Sequence, residues 1–302
     1  MPNVKAWLSA ARLRTLPLSI SGIIAASGVA ASQGYFDSTI FILALLTTIG
    51  FQVLSNFAND YGDGVKGTDN EERIGPVRAL QSGAISAVQM RTAMVVTVLL
   101  TLLSALVLIY VSFGTNYLLF SLLFIVLGIA SIIAAIKYTV GDTAYGYNGL
   151  GDVFVFLFFG LLSVLGTYFL YAKVFFWELV LLASAVGLLS VAVLNLNNMR
   201  DMEGDKRAGK NTLVVKMGAA RAKKYHYALI LVAFLCLSIF LYLVGNGWKS
   251  FLVLLAFVPL IFHLKRVGAN RILSKLDGEL KVVALSTFFI TLLLSVIFNI
   301  FS

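Results

Sequence analysis

Runs of about twenty apolar residues recur along the sequence, and they restrict the chain to a membrane-spanning fold. We place nine such runs, at 14–33, 39–59, 88–111, 116–137, 150–171, 175–198, 225–244, 249–266 and 282–300. A chain that is 60% hydrophobic and only 12% charged is outside the range of soluble domains. Because a backbone in lipid must satisfy its own hydrogen bonds, the runs predict an all-α bundle of nine transmembrane helices. We expect residues 1–302 to form this single integral membrane domain.

The basic residues predict the orientation of the bundle. With the N-terminus in the cytoplasm, all of the 23 Lys and Arg residues except Lys173 and Lys249 lie at the N-terminus or in inner loops. This asymmetry is the positive-inside rule, which explains the net charge of +9 without a nucleic-acid partner. Outer connections such as Ser112–Thr115 are too short to fold. The function is therefore expected to face the cytoplasm.

Two polar stretches, 56–69 and 197–210, lie at the predicted cytoplasmic ends of the second and sixth helices. Each follows the second helix of a four-helix block, which suggests two four-helix pseudo-repeats and an added ninth helix. On a helix, side chains three, four and seven positions apart share a face. The spacing predicts two such faces, one with Asn56, Asp60 and Asp63 and the other with Asn198, Asp201 and Asp205.

The aspartates of these stretches predict a divalent cation site. The candidate metal ligands are Asp60, Asp63, Asp69, Asp201 and Asp205. Oxygen ligands without a His or Cys cluster suit Mg²⁺ or Mn²⁺ rather than zinc, and Mg²⁺ commonly shares its ligands with substrate phosphates. The alternative is that these are helix-end charges on a solvated loop, but the occurrence of two matched motifs argues against it.

Basic residues beside the aspartates predict a phosphorylated substrate. Arg73 and Arg78 follow the first stretch, and Lys210 closes the second. Guanidinium and ammonium groups beside a carboxylate-bound metal are suited to a diphosphate leaving group. Tyr138, at the cytoplasmic end of the fourth helix, is a further catalytic candidate. For each of these residues the alternative is a topological role, as a positive-inside charge or an interfacial aromatic anchor.

Asn59-Asp60-x-x-Asp63 and Asp201-x-x-x-Asp205 are two Asp-rich motifs at helix ends. In this the chain resembles the UbiA superfamily of intramembrane prenyltransferases. Shorter segments resemble its MenA branch, which prenylates 1,4-dihydroxy-2-naphthoate in menaquinone synthesis. Those segments are Arg14–Pro17, Lys66–Asp69, Gly75–Leu80, Gly149–Asp152 and Asn198–Leu213. The likeness covers roughly residues 12–218.

The resemblance implies Mg²⁺-dependent transfer of a polyprenyl group from polyprenyl diphosphate to dihydroxynaphthoate, with loss of CO₂ and diphosphate. It also implies that Asp60, Asp63, Asp201 and Asp205 hold the metal, and that Arg78 and Lys210 neutralise the diphosphate. Tyr138 is expected to contact the diphosphate or the allylic cation. The residues expected to bind substrate or orient ligands are Asn56, Lys66, Asn198 and Arg200. The implied location is the bacterial cytoplasmic membrane, with the active site facing the cytoplasm.

The sequence leaves two alternatives open. Another branch of the superfamily would prenylate a different aromatic acceptor, such as 4-hydroxybenzoate. A cation-coupled transporter would also use helix-end acids and a repeated fold, although its ionisable groups should lie nearer the middle of the membrane. A CDP-alcohol phosphotransferase is disfavoured, because the residues after Asp63-Gly64 depart from its Asp-x-x-Asp-Gly-x-x-Ala-Arg pattern.

Overall fold

The computed structural model describes residues 4–68 and 75–301. Within these ranges, nine helices are long and apolar enough to cross a membrane. They are α1 (Val4–Ser32), α2 (Ser38–Val65), α3 (Ala87–Phe113), α4 (Leu118–Lys137), α5 (Gly151–Ala172), α6 (Leu179–Arg207), α7 (Ala219–Val244), α8 (Trp248–Ala269) and α9 (Leu273–Ile300). The predicted all-α bundle of nine membrane-spanning helices is confirmed. Asp69 and Arg73 lie outside the described residues.

The helices that carry the polar motifs are longer than the apolar runs predict. α2 continues through the first motif to Val65, and α6 continues through the second to Arg207. The predicted spans ended at 59 and 198 because they followed hydropathy, whereas the backbone stays helical where polar side chains face the interior of the bundle. The carboxylates of both motifs are therefore fixed on helices rather than on loops.

α1 changes direction before it enters the apolar part of the bundle. Arg12 has a left-handed backbone conformation, with φ 50° and ψ 54°. A short 3-10 turn, Leu13–Thr15, follows it, and Pro17 then lies in the first turn of the apolar part of the helix. Proline is well placed there, because its missing N–H would have no helical partner at that position. The break places Arg14 beside the polar end of the bundle.

Small residues allow α5 to pack closely against α6. A Cβ atom on Gly160 would lie 2.7 Å from the Cα of Gly187 and 2.7 Å from the carbonyl oxygen of Ala183. Close backbone approach at glycines is a common way for membrane helices to associate. The contact keeps α6, which carries the second motif, next to the π-helical segment Phe156–Gly166 of α5.

Gly160→Val is expected to force α5 and α6 apart and to lower stability by about 1–3 kcal/mol, the usual cost of overpacking. The measurement is the apparent Tm of the protein in detergent micelles. Gly128→Val is the matched control, because outside the neighbouring backbone of its own helix no heavy atom of the described residues lies within 4 Å of the Cβ position of Gly128. Equal Tm values for the two variants would contradict the close contact.

A second polar cluster joins α7, α8 and α9. The Nε2 atoms of His226 and His263 lie 2.7 Å apart, and Nδ1 of His263 lies 2.6 Å from a carboxylate oxygen of Glu279. Arg266 donates two hydrogen bonds to the same carboxylate. The cluster ties the bundle together by joining Glu279 on α9 to α7 and α8. His226 is 37 positions from His263, which is why no motif indicated the pairing of the two histidines.

Candidate active site

A cavity of about 750 Å³ lies among α1 to α6 and α9. Ala44 and Asp63 both line it from α2, so at the helical rise per residue it extends about 28 Å along that helix. The charged side chains that line its polar end include Asp63, Arg78, Asp201, Asp205 and Lys210. Apolar side chains line its deeper part, including Ile23, Leu108, Phe124, Phe158, Leu162 and Leu170. The polar end of the cavity thus suits an anionic ligand bound together with a metal cation, and the apolar part suits a hydrocarbon chain.

The two aspartates of the first motif point in different directions. Asp63 lines the cavity, together with Asn59 one turn earlier. Asp60 is only 1% exposed, and its carboxylate accepts hydrogen bonds from the backbone N–H groups of Ala79 at 3.2 Å and Leu80 at 3.4 Å. Asp60 therefore fixes the loop that carries the neighbouring Arg78 and lies outside the lining of the main cavity.

Asp63 is the centre of a polar network at the end of α2. Its Oδ1 accepts a hydrogen bond of 2.8 Å from the hydroxyl of Tyr147, and its Oδ2 lies 3.5 Å from Nζ of Lys210. The Tyr147 hydroxyl also lies 2.6 Å from Oγ1 of Thr68. The ammonium groups of Lys66 and Lys210 lie 4.1 Å and 5.2 Å from the centre of the Tyr147 ring. Tyr147 thus joins both motifs, although no sequence motif had singled it out.

Lys210 is held in its charged form. Burial lowers the pKa of the ammonium group, but the carboxylates of Asp63 and Asp205 outweigh burial and raise the pKa above its usual value. A lysine with a raised pKa remains protonated through neutral pH, so its attraction for carboxylates is lost only at strongly alkaline pH. Lys210 is therefore a permanent cation at the polar end of the cavity.

Tyr147→Phe is expected to lower the prenyl transfer that the family resemblance implies by about 10-fold, because it removes a hydrogen bond to a charged carboxylate. The measurement is the initial rate of prenyl transfer over a Mg²⁺ titration, and we expect the variant to need more Mg²⁺. Tyr242→Phe, at a side chain 77% exposed, is the control. A Tyr147→Phe variant with the wild-type rate and Mg²⁺ dependence would show that the hydroxyl does not orient Asp63.

The second motif is ordered by an arginine that is bound within the protein. The side chain of Arg200 is 2% exposed, and it binds the two carboxylate oxygens of Asp201 at 2.8 Å and 2.6 Å. It also donates to Asp277 on α9 and to Asn197. These contacts orient Asp201 and link α6 to α9. Asp277 and Asn197 line the cavity. Asn197 begins the second polar stretch, whereas no sequence motif had singled out Asp277.

Three of the residues predicted to bind substrate or orient ligands differ in where they lie relative to the cavity: Asn56, Lys66 and Asn198. Asn198 lines the cavity on α6. Asn56 also lines it, but its amide donates to the carbonyl of Ala11 at 2.8 Å and so fixes the break in α1. Lys66 donates to the carbonyl of Gly141 at 2.8 Å and stacks on the Tyr147 ring. Of the three, Asn198 is the best placed to reach a ligand.

Arg78 and Tyr138 both line the cavity, as their predicted roles require. The guanidinium of Arg78 interacts electrostatically with Asp63. Burial raises the pKa of Tyr138 to about 12, so its hydroxyl is neutral at physiological pH. The ring of Tyr138 packs edge-on against Tyr145, which in turn stacks on Phe154. Tyr138 thus begins an aromatic wall beside the charged end of the cavity.

The donor groups at the polar end fit a divalent cation that is bound together with a phosphorylated ligand. Among residues 4–68 and 75–301, no three His, Cys, Asp or Glu side chains are close enough to hold a metal by themselves. Asp63, Asp201 and Asp205 nevertheless line one cavity and offer the hard oxygen ligands that Mg²⁺ prefers. Mg²⁺ typically takes only one or two carboxylates and completes its shell with phosphate and water.

The comparisons with known proteins agree with this geometry. Residues 19–293 match the model of the UbiA prenyltransferase family, so the chain belongs to that family. The 1,4-dihydroxy-2-naphthoate octaprenyltransferase of Escherichia coli (strain K12) is 47% identical over 260 residues, 86% of this chain and 83% of the relative. The enzyme with the same name from Haemophilus influenzae (strain ATCC 51907 / DSM 11121 / KW20 / Rd) is 44% identical over 299 residues, 98% of this chain and 95% of the relative.

A solved structure confirms the fold. A UbiA homologue from Archaeoglobus fulgidus, bound to DMAPP and Mg²⁺, superposes with a TM-score of 0.65 at 14% identity. The match covers 94% of this chain and 98% of that chain. The resemblance to UbiA prenyltransferases inferred from the Asp-rich motifs is therefore confirmed, and the nine apolar helices are those of an integral membrane protein.

Proposed function

We propose that the protein transfers a polyprenyl group from polyprenyl diphosphate to 1,4-dihydroxy-2-naphthoate, releasing diphosphate and CO₂ and forming demethylmenaquinol, the hydroquinone form of demethylmenaquinone. The observation that carries the proposal is a single cavity that joins a carboxylate and lysine cluster to a long apolar groove. The names of the relatives at 44% and 47% identity support the choice of acceptor.

The polar end of the cavity holds the diphosphate. Lys210 and Arg78 face it as cations, and Asp63, Asp201 and Asp205 are the carboxylates that would hold Mg²⁺. When bound, Mg²⁺ supplies Lewis-acid neutralisation of the charge on the diphosphate leaving group. The homologue solved with DMAPP and Mg²⁺ supports use of this metal. Arg200 and Tyr147 hold the carboxylates of Asp201 and Asp63 in place before substrate arrives.

The apolar part of the cavity holds the prenyl chain and excludes water. The allylic C–O bond breaks with both electrons leaving on diphosphate, and the electron-rich naphthalene ring supplies the pair for the new C–C bond. Loss of the carboxylate as CO₂ returns an electron pair to the ring. The neutral Tyr138 and the aromatic wall behind it face the allylic cation without offering an anionic nucleophile. A dry site protects this cation from hydrolysis.

We place the polar end at the cytoplasmic face of a bacterial membrane, and we treat residues 1–302 as one catalytic domain. The orientation rests on the concentration of Lys and Arg in the loops at that end. Dihydroxynaphthoate then reaches the cavity from the cytoplasm, while the polyprenyl chain is supplied from the lipid bilayer.

The test is prenyl transfer by the purified protein in proteoliposomes with octaprenyl diphosphate. Dihydroxynaphthoate and 4-hydroxybenzoate are supplied in separate reactions, each with Mg²⁺ and with EDTA. We expect demethylmenaquinol, detected as demethylmenaquinone after oxidation in air, and an equal amount of CO₂ only with dihydroxynaphthoate and Mg²⁺. Product from 4-hydroxybenzoate alone would assign another acceptor, and ion transport without any prenylated product would overturn the proposal.

A further inference from the structure

Two cationic side chains line the cavity without a protein partner. Arg14 on α1 and Lys281 on α9 both border it, and both are exposed. Neither has a hydrogen bond or an ion pair with any other residue of the described part of the chain. Asp277, one turn before Lys281, is bound by Arg200 instead. Charged groups at membrane depth are costly, and those that line a cavity usually mark a ligand.

Arg14 and Lys281 lie at a similar depth on neighbouring helices. α1 and α9 run parallel, and the side-chain amide of Asn299 donates to the carbonyl of Gly28 at 3.1 Å. A Cβ atom on Gly28 would also lie 2.6 Å from the Cα of Ser295. The same number of residues separates Arg14 from Gly28 on α1 and Lys281 from Ser295 on α9. Arg14 and Lys281 therefore lie at about the same level. The two cations therefore form one basic pair at the α1 and α9 side of the cavity.

The basic pair lies deeper in the membrane than the carboxylate cluster. Asn56 contacts Thr15, the neighbour of Arg14, and it precedes Asp63 by two helical turns, about 10 Å. Lys281 follows Asp277 by about one turn, about 6 Å, in the same inward direction. The pair thus faces the region between the diphosphate end and the apolar groove.

The backbone around Arg14 is fixed before any ligand binds. The hydroxyl of Thr15 donates to the carbonyl of Arg12 at 2.9 Å and accepts from the amides of Gln52 at 3.2 Å and Asn56 at 3.3 Å. A guanidinium on a fixed turn loses little conformational freedom when it binds a planar anion.

We propose that Arg14 and Lys281 bind the carboxylate of the aromatic acceptor. The inference rests on the proposed function, which requires a second anion in the same cavity. Lys210 and Arg78 already serve the diphosphate, so the unpartnered pair is available for the acceptor. A carboxylate held by this pair places the naphthalene ring between the two anion sites, where the allylic carbon must lie. Guanidinium and carboxylate groups match in a bidentate geometry.

The test compares the binding of two naphthalene ligands by their intrinsic fluorescence, with the purified protein in detergent. The ligands are 1-hydroxy-2-naphthoate and 1-naphthol, which differ only in the carboxylate. We expect wild type to bind the naphthoate about 10- to 100-fold more tightly than the naphthol. In Arg14→Gln and Lys281→Gln this ratio should fall towards one, and Arg14→Lys should retain part of it. Arg91→Gln, outside the cavity, should keep the wild-type ratio.

A wild-type ratio in both Gln variants would overturn the inference. Arg14 also borders a smaller pocket with Arg78, so the KM for polyprenyl diphosphate is measured in parallel. A raised KM for the diphosphate with an unchanged ligand ratio would assign the pair to the other substrate, which also overturns it. Because binding is measured without turnover, failure of wild type to prenylate dihydroxynaphthoate would count against the proposed function alone.

Discussion

Asp63→Asn is expected to lower kcat for prenyl transfer by about 1000-fold, the upper range for removal of one electrostatic group from an active site. Asp63 lines the cavity, accepts from Tyr147 and lies 3.5 Å from Lys210. The amide removes a charged oxygen that we propose as a ligand for Mg²⁺, and it deprives the largely buried Lys210 of one of its two carboxylate partners. Initial rates in proteoliposomes at saturating Mg²⁺ measure the loss. Asp142→Asn, at an exposed loop carboxylate, is the matched control.

Asp60→Asn should cost clearly less activity than Asp63→Asn. The Asp60 carboxylate accepts two backbone N–H groups of the loop that carries Arg78, so its loss acts through that loop. If Asp60→Asn were as damaging as Asp63→Asn and also raised the Mg²⁺ requirement, Asp60 would have to be a metal ligand. The different orientations of the two side chains would then not describe the working enzyme.

Lys210→Gln is expected to lower kcat/KM for polyprenyl diphosphate by about 100-fold or more, since it removes a largely buried cation that we propose faces the leaving group. Glutamine cannot balance the carboxylates of Asp63 and Asp205, which together hold the pKa of Lys210 above its usual value against the effect of burial. Lys206→Gln removes an exposed charge from the same segment and should leave the rate unchanged. Comparable losses in the two variants would mean that general positive charge, not Lys210 itself, matters.

The pH profile offers a further check on Lys210. Because its pKa is raised in the folded protein, Lys210 stays charged below that value and loses its charge only as the pH rises through it. Lys210 should therefore not contribute to any change in wild-type activity between about pH 7 and 9. Any decline in that range should be equally present in the Lys210→Gln variant. A decline that occurs in wild type but not in Lys210→Gln would mean that Lys210 titrates in this range, which would contradict its raised pKa.

Local patterns in the sequence were enough to predict the membrane helices and the position of the two motifs. Hydropathy over about twenty residues depends on neighbouring positions alone, so the nine helices were confirmed even though several extend beyond their apolar runs. It was harder to predict which of the two side chains, Asp60 or Asp63, points into the cavity. Side chains that are three positions apart share only a broad face, and the packed loop at Ala79 and Leu80 decides which carboxylate enters the cavity.

Contacts between distant segments could not be predicted from the sequence. Arg200 looked like a substrate-binding residue, but its partner Asp277 comes from the start of the ninth helix, where no motif stands. The pairing of His226 with His263 and the contact of Tyr147 with Asp63 likewise depend on how helices pack. Such contacts appear only when the whole bundle is assembled, because each partner alone resembles an ordinary helix-end residue.

The most direct test of the site is equilibrium binding of a labelled polyprenyl thiolodiphosphate, whose bridging sulfur slows cleavage, to the purified protein. We predict binding that requires Mg²⁺, is lost in Asp63→Asn and in Asp201→Asn, and survives in Asp142→Asn. Mg²⁺-dependent binding of this kind would identify the two motifs as one diphosphate site. Binding of equal strength without Mg²⁺, or in both aspartate variants, would contradict the assignment of this cavity as the active site.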